Sequence, residues 1–249
     1  MNKLYKCVVS ACLCLSTVAA AATPPVPITA TQAKQATASA LEQNDLINQA
    51  RTAEAAKDWP KAESLLTNLI AMDPQRWEYR QGLADMQLRQ AKYAEAADSY
   101  AAALLAAGKA KLTPSIRQAM ATMYNNEGNA FLRLKRYDEA IKAYTQAAQL
   151  SDKPATAWFN LCAVQFNAGK MAEALSACDK TISADPTKAD AYFIKGSILL
   201  GNSTTDASGK IVTPPGTMEA LQTYMKLAPN GPHVGDVKAM LDYLQGKAP

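Results

Sequence analysis

Cys162 and Cys178 are the residues of this 249-residue chain whose type and spacing most invite a chemical reading. Two cysteines can form a structural disulfide, a redox couple or half of a metal site. A zinc site is excluded by spacing, because two cysteines and one histidine lack the paired ligand pattern that tetrahedral zinc needs. His233 is the single histidine and follows the loop Pro229-Asn230-Gly231-Pro232, just before a predicted helix. A cysteine–histidine or serine–histidine pair would depend on that one distant ring, which reads more simply as a helix-start residue. No glycine-rich phosphate loop, nucleophile elbow or dinucleotide fingerprint is present. The carboxylate pair Asp138-Glu139 falls at a helix start, where negative charge meets the helix dipole favourably. These observations predict a protein without catalytic residues, metal or cofactor.

The elements that would position the cysteines follow from a period. Tyr124, Trp158 and Tyr192 are evenly spaced along the chain, and the small residues Gly128, Cys162 and Gly196 follow each of them by four. Ala140 and Ala174 keep the same interval, as do Trp59 and Tyr93, Ala62 and Ala96, and Leu66 and Tyr100. A fixed interval of roughly 34 residues marks one supersecondary unit copied and stacked. Within a copy, Phe131, Leu134, Tyr137 and then Ile141, Tyr144, Ala148 return at helical spacing. The turns Leu134-Lys135-Arg136 and Ala168-Gly169-Lys170 are short, so the two helices of each copy lie antiparallel as a hairpin. Asp73-Pro74 and Asp185-Pro186 end their copies, because proline cannot continue a helix.

Hairpin geometry bears directly on the cysteines. The turn at Lys170 lies eight residues after Cys162 and eight before Cys178, which sets them at equal height on facing helices. Close helix packing would bring their Cα atoms into the disulfide window of roughly 4.4–6.8 Å. A Cys162–Cys178 disulfide is expected, with two buried free thiols as the alternative.

At this point the residues resemble the tetratricopeptide repeat, whose pattern of Trp, Leu, Gly, Tyr, Ala, Phe, Ala and Pro is partly met by Trp158, Leu161, Ala174 and Pro186. The resemblance covers about residues 42–229. It implies an all-α fold, a right-handed α-solenoid of about five helix-turn-helix repeats closed by a C-terminal capping helix. It also implies a concave groove, lined by the first helix of each copy, that holds a peptide or protein segment. By resemblance the groove presents Gln81, Asp85 and Leu88, then Asn125, Asn129 and Arg133, then Phe159, Ala163, Phe166 and Asn167, then Phe193 and Ser197. Phe159, Phe166 and Phe193 are candidate anchors for an extended segment, with core packing between repeats as the alternative for each. The family's clamp of Lys, Asn, Asn, Lys and Arg for a C-terminal carboxylate is met only at Asn129 and Asn160. Its cationic positions are Asn125, Asp190 and Ile194, so the resemblance does not extend to that clamp.

The interruptions in the period are informative. The step from Ala96 to Ala140 exceeds the period by ten, and the surplus surrounds Gly108 to Pro114, where Thr113 can cap and Pro114 can start a longer helix. A bend or hinge after the first two copies is expected there. The step from Ala174 to Ala220 exceeds it by twelve, and the surplus is the polar segment 201–217, a loop inserted inside a hairpin. Asp206-Ala207-Ser208-Gly209 can turn between two short strands, or the segment is a bare surface excursion. Val234, Val237, Leu241 and Leu244 share one helical face and predict the capping helix. The organisation expected is a leader at 1–22, a Pro/Ala-rich tether and helix start at 23–41, repeats one and two at 42–110, repeats three to five at 111–231, and the cap and tail at 232–249.

Lys3 and Lys6 precede an apolar run from Cys7 to Val18 and then small residues Ala19 to Ala22, the pattern of a secretory signal peptide cleaved near Ala20–Ala22. A lipoprotein box at Val9-Ser10-Ala11-Cys12 is the competing reading. Removing Lys3 and Lys6 from the 26 basic residues leaves 24 against 22 acidic, too balanced for a phosphate-binding face. The leader would also carry away Cys7, Cys12 and Cys14, leaving one cysteine pair in an oxidising compartment. No later stretch is apolar for long enough to cross a membrane. The expectation is a periplasmic or secreted scaffold for a protein or peptide, with no nucleic-acid partner. The alternatives are an envelope thiol or redox protein using Cys162 and Cys178, and a structural subunit of an envelope complex.

Overall fold

The computed structural model describes residues 29–246. The expected leader at 1–22, its cleavage site, Cys7, Cys12, Cys14, tether residues 23–28 and the last three residues lie outside the described residues. The chain divides into two compact units at Leu41/Glu42. Helix α1 (Ala30–Ala55) spans that boundary, and the described part of the first unit, 29–41, is helical from Ala30 onward.

The second unit is built from antiparallel helix pairs. The part of α1 after Leu41 shares a core cluster with α2 (Trp59–Met72) through Ala53 and Ala62, α3 (Trp77–Arg89) pairs with α4 (Tyr93–Ala107), and α5 (Pro114–Arg133) with α6 (Tyr137–Leu150). Then α7 (Ala155–Asn167) pairs with α8 (Met171–Ala184), α9 (Ala189–Gly201) with α10 (Thr217–Leu227), and α11 (Val234–Leu244) closes the stack. Each pair packs on the next, and the first helices α3 and α5, then α7 and α9, also touch. The first helices therefore form the inner row. This is the all-α solenoid of about five hairpins and a cap that the period predicts.

The turns show why the period is strict. Lys57, Ala91, Lys135 and Gly169 adopt positive φ of 58–74°, and the residue after each donates its N–H five residues back: Asp58 to Ala53, Lys92 to Gln87, Arg136 to Phe131 and Lys170 to Gln165, at 2.8–2.9 Å. One left-handed residue reverses the chain and satisfies carbonyls at the end of the first helix. Helix ends follow the sequence signals. Helix α2 stops at Met72 and α8 at Ala184, one residue before each Asp-Pro. Thr113 Oγ1 accepts from Ile116 N at 3.2 Å, with Pro114 opening α5.

The surplus before Tyr124 lengthens α5 to 20 residues. The expected hinge is a packed join: Tyr100, Leu104 and Ala107 of α4 share one core cluster with Met123 and Ala130 of α5, and Ile116 and Met120 pack against it. The 201–217 insertion forms β1 (Thr204–Thr205) and β2 (Ile211–Val212), antiparallel with Thr204 opposite Val212. Asp206 makes that turn, its Oδ1 accepting from Ser208 N, Ser208 Oγ and Lys210 N at 2.6–3.0 Å. In the cap, Val237 is buried and Val234, Leu241 and Leu244 pack with Leu221 and Tyr224 of α10.

Candidate functional site

The inner row is shaped by what crosses behind it. Where the two helices of a hairpin meet, three pairs occur at one sequence separation of 16: Ala84 with Tyr100, Gly128 with Tyr144, and Cys162 with Cys178. A small residue on the first helix leaves room for a large one on the second. A Cβ on Gly128 would lie 2.7 Å from Tyr144 Cε1, so that ring fits only against glycine. Both tyrosines are fully buried and need partners for their hydroxyls. Tyr100 donates to Asp85 Oδ1, and Tyr144 donates to Asn129 Oδ1 at 2.8 Å. Burial raises both phenols well above the ordinary range, Tyr100 further because it faces Asp85.

Several predicted groove residues are thus anchored from within. Asp85 also accepts from Asn126 Nδ2 at 3.3 Å, and burial raises its carboxyl against those hydrogen bonds. Asn160 Nδ2 donates to Asn125 Oδ1 at 2.9 Å, linking α7 to α5 along the row. Gln81 is half-buried on α3, and Leu88 joins the core cluster between the second and third hairpins. Arg133 lies with its guanidinium 5.9 Å from the Tyr93 ring centre. Asn167 is exposed at the end of α7.

The three phenylalanines separate. Phe159 is half-buried beneath the Lys188 ammonium, which stands 4.6 Å from its ring centre. Phe166 and Ala163 are half-buried against the α7–α8 core. Phe193 is stacked on the His233 imidazole, with centroids 3.9 Å apart and planes 3° from parallel. Its core-packing alternative is the arrangement seen. His233 also anchors the loop before the cap, donating its backbone N–H to Tyr224 Oη at 2.9 Å. Sequence reasoning missed Tyr100 and Tyr144, although Asp85 to Tyr100 and Asn129 to Tyr144 are the same step along the chain.

Two cavities open along the inner row. One of about 230 Å³ lies among α1, α2 and α3 and is lined by Arg51, Glu54, Tyr79 and Asp85. The Tyr79 hydroxyl there is buried without a hydrogen-bond partner among the described residues. The other, about 220 Å³, lies between α5 and α7 and is lined by Gln118, Asn125 and Thr156.

Cys162 and Cys178 stand at disulfide distance, with Cα atoms 5.1 Å apart and no solvent exposure at either residue. A reactive thiolate needs access and a stabilising charge, and this crossing supplies neither. Among the described residues, no group of three or more His, Cys, Asp or Glu is placed to hold a metal ion. No described helix is long and apolar enough to cross a membrane.

The family model for the tetratricopeptide repeat matches residues 47–111 and 125–189. This chain belongs to the tetratricopeptide repeat family. The break between the two matched stretches coincides with the lengthened α4–α5 join. Among solved structures, YrrB, a TPR protein with an unusual peptide-binding site, superposes with a TM-score of 0.63 at 19% identity, covering 80% of this chain and 95% of that one. PilF of Pseudomonas aeruginosa gives 0.61 at 17%, covering 84% and 87%, and MamA gives 0.60 at 18%, covering 78% and 94%. At these identities the likeness is one of fold. By sequence, U-box domain-containing protein 70 of Oryza sativa subsp. japonica is 33% identical over 87 residues, 34% of this chain and 11% of that protein. The Hsp70-Hsp90 organizing protein of Triticum aestivum is 29% identical over 110 residues, 44% of this chain and 17% of that protein. The match spans about a tenth to a sixth of these relatives' length.

Proposed function

We propose that this chain is a non-enzymatic scaffold that holds an extended segment of another protein along the inner row of first helices, in the periplasm or secreted space. The observation that carries the reading is the pre-ordered row itself. Asp85, Asn125 and Asn129 are held by hydrogen bonds from Tyr100, Asn126, Asn160 and Tyr144, and two cavities open beside them. Polar groups already fixed in place bind without a further ordering cost. Phe159 and Phe166 supply the apolar end of the row.

The relatives named Hsp70-Hsp90 organizing proteins, and YrrB with its peptide-binding site, support a protein or peptide as occupant. Capture of a C-terminal carboxylate is not the mode we infer. Asn129 and Asn160 are engaged within the scaffold, and Asp190 stands where a cation would be needed. Export rests on Lys3, Lys6, the apolar run to Val18 and the alanines after it, and the Cys162–Cys178 pair suits an oxidising compartment.

Crosslinking in the native cell followed by mass spectrometry tests the groove. The double variant Phe159→Ala, Phe166→Ala is expected to lose partners that the unaltered protein captures; retention of every partner would overturn the reading. For location, Edman sequencing of the mature protein is expected to start near Thr23, and a blocked, acylated Cys12 would refute signal-peptide cleavage there.

A further inference from the structure

Glu127 stands in a core position of its hairpin. It precedes Ala140 by the same step that separates Leu83 from Ala96 and Leu161 from Ala174. Leucine at that place packs between helices. Glu127 is held there too, the residue as a whole 9% exposed, and among the described residues no hydrogen bond or ion pair engages its carboxylate. Taking a carboxyl partly out of water without a partner is costly, and that desolvation pushes this one up to about 7. Nothing in the packing of the hairpin is gained by it over leucine.

The carboxyl lines a cavity of about 530 Å³ at the α4–α5 join, where the period is broken. It is lined by Leu104 and Leu105 of α4, Met120 and Tyr124 of α5, and Lys109 of the connecting segment. Leu105 is 68% exposed beside the opening, apolar surface for a partner to cover. Lys109 is exposed and makes no ion pair with Glu127 among those the structure holds. The site is not part of the groove. Glu127 is two residues from both Asn125 and Asn129, about 200° round the helix, so it faces the opposite side of α5.

We propose that this cavity is a second binding site that takes the side chain of a lysine or arginine from a partner protein, its alkyl stem along Leu104, Met120 and Tyr124 and its cation on the Glu127 carboxylate. Charge complementarity selects the occupant. A carboxylate without a hydrogen-bond partner, lining a largely apolar recess, favours a cation that arrives on a long apolar stem, and the Tyr124 ring adds a face for it. A neutral apolar side chain would strip the carboxylate of its remaining water and leave it unpaired.

The test uses the full chain and small probes. Methyl NMR signals of Leu104, Leu105 and Met120 are followed during titration with Nα-acetyl-lysine N-methylamide, the arginine analogue, and the norleucine analogue, which keeps the stem without the charge. Saturable shifts are expected with the two cations and not with norleucine. Binding is expected to weaken at least about tenfold in Glu127→Gln and in Glu127→Leu, which restores the residue the period places there. It is expected to persist in Phe159→Ala, Phe166→Ala, so failure here and failure of the groove are distinguishable. The proposal is overturned if the cations give no shifts, if norleucine matches them, or if both Glu127 variants bind as before.

Discussion

Two neighbouring hairpins, α5–α6 and α7–α8, solve one crossing in two ways. In the first, Gly128 makes room for the Tyr144 ring; in the second, Cys162 and Cys178 meet with Cα atoms 5.1 Å apart. The choice reaches the groove. A buried tyrosine needs an acceptor for its hydroxyl, and Asn129 supplies it from the inner row. The cysteine pair makes no such demand, and the residue in the place of Asn129 is Ala163, with Phe159 and Phe166 on the same helix. Tyr100 and Asp85 repeat the first solution in α3–α4. The polar half of the groove therefore lies over the tyrosine crossings and the aromatic half over the Cys162–Cys178 crossing. Groove chemistry is partly a consequence of how each hairpin is locked.

Breaking the tyrosine lock should have the largest effect. Tyr144→Ala removes a fully buried ring and leaves the Asn129 carbonyl without its donor, so a loss of about 3–5 kcal/mol is expected in urea unfolding. Breaking the other lock should cost slightly less. Reduction opens the loop between Cys162 and Cys178, whose sequence separation is 16, and its closure is worth about 3 kcal/mol by loop entropy. Unfolding with and without reductant measures that difference. Intact mass should shift by about two daltons on reduction if the pair is bonded, the mass of the two hydrogens gained per disulfide. An unchanged mass would show two free thiols and remove this half of the comparison.

The same two hairpins differ again at Glu127 and Leu161. The folded state raises the Glu127 pKa to about 7, above its value in the unfolded chain. Its protonated form thus favours folding: that stability is fully present below the ordinary carboxylic range and is lost as pH rises through about 7. Glu127→Leu should be more stable than the unaltered protein above about pH 7, by on the order of 2 kcal/mol, with the advantage shrinking toward about pH 4. Thermal unfolding of both proteins across that range checks the sign. A pH-independent difference would mean that the carboxyl is solvated.

How much of this was legible in the sequence depends on the length scale of the cause. The hairpins, the Asp-Pro stops, the Thr113 cap, the 201–217 insertion and the α11 face follow from local rules that repeat, so the period exposed them. The facing of Cys162 and Cys178 followed from counting along a hairpin. The tyrosine locks were not read, because Tyr100 and Tyr144 look like ordinary core aromatics until the atom they donate to is known. The choice between groove and core for Phe193 stayed open for a related reason: His233, far along the chain, stacks on it after a loop whose path no spacing rule fixes. Glu127 was in plain view in a leucine column, but an aligned position does not reveal whether a carboxyl finds a partner.

The turns offer the smallest and cleanest contrast. Lys135 and Gly169 hold the same place in successive copies, at the reversal of the two hairpins, with φ of 58° and 74°. An ordinary side chain in that region costs roughly 1–2 kcal/mol, and glycine offsets about 0.5–1 kcal/mol of that difference through its freer unfolded chain. Nothing lies within 4 Å of where a Cβ on Gly169 would sit, so packing does not confuse the comparison. Lys135→Gly is therefore expected to stabilise by about 0.5–1 kcal/mol and Gly169→Lys to destabilise by a similar amount. Chemical unfolding of the two variants should show opposite signs. Equal signs would mean that the two hairpins differ at their turns in more than one residue's backbone.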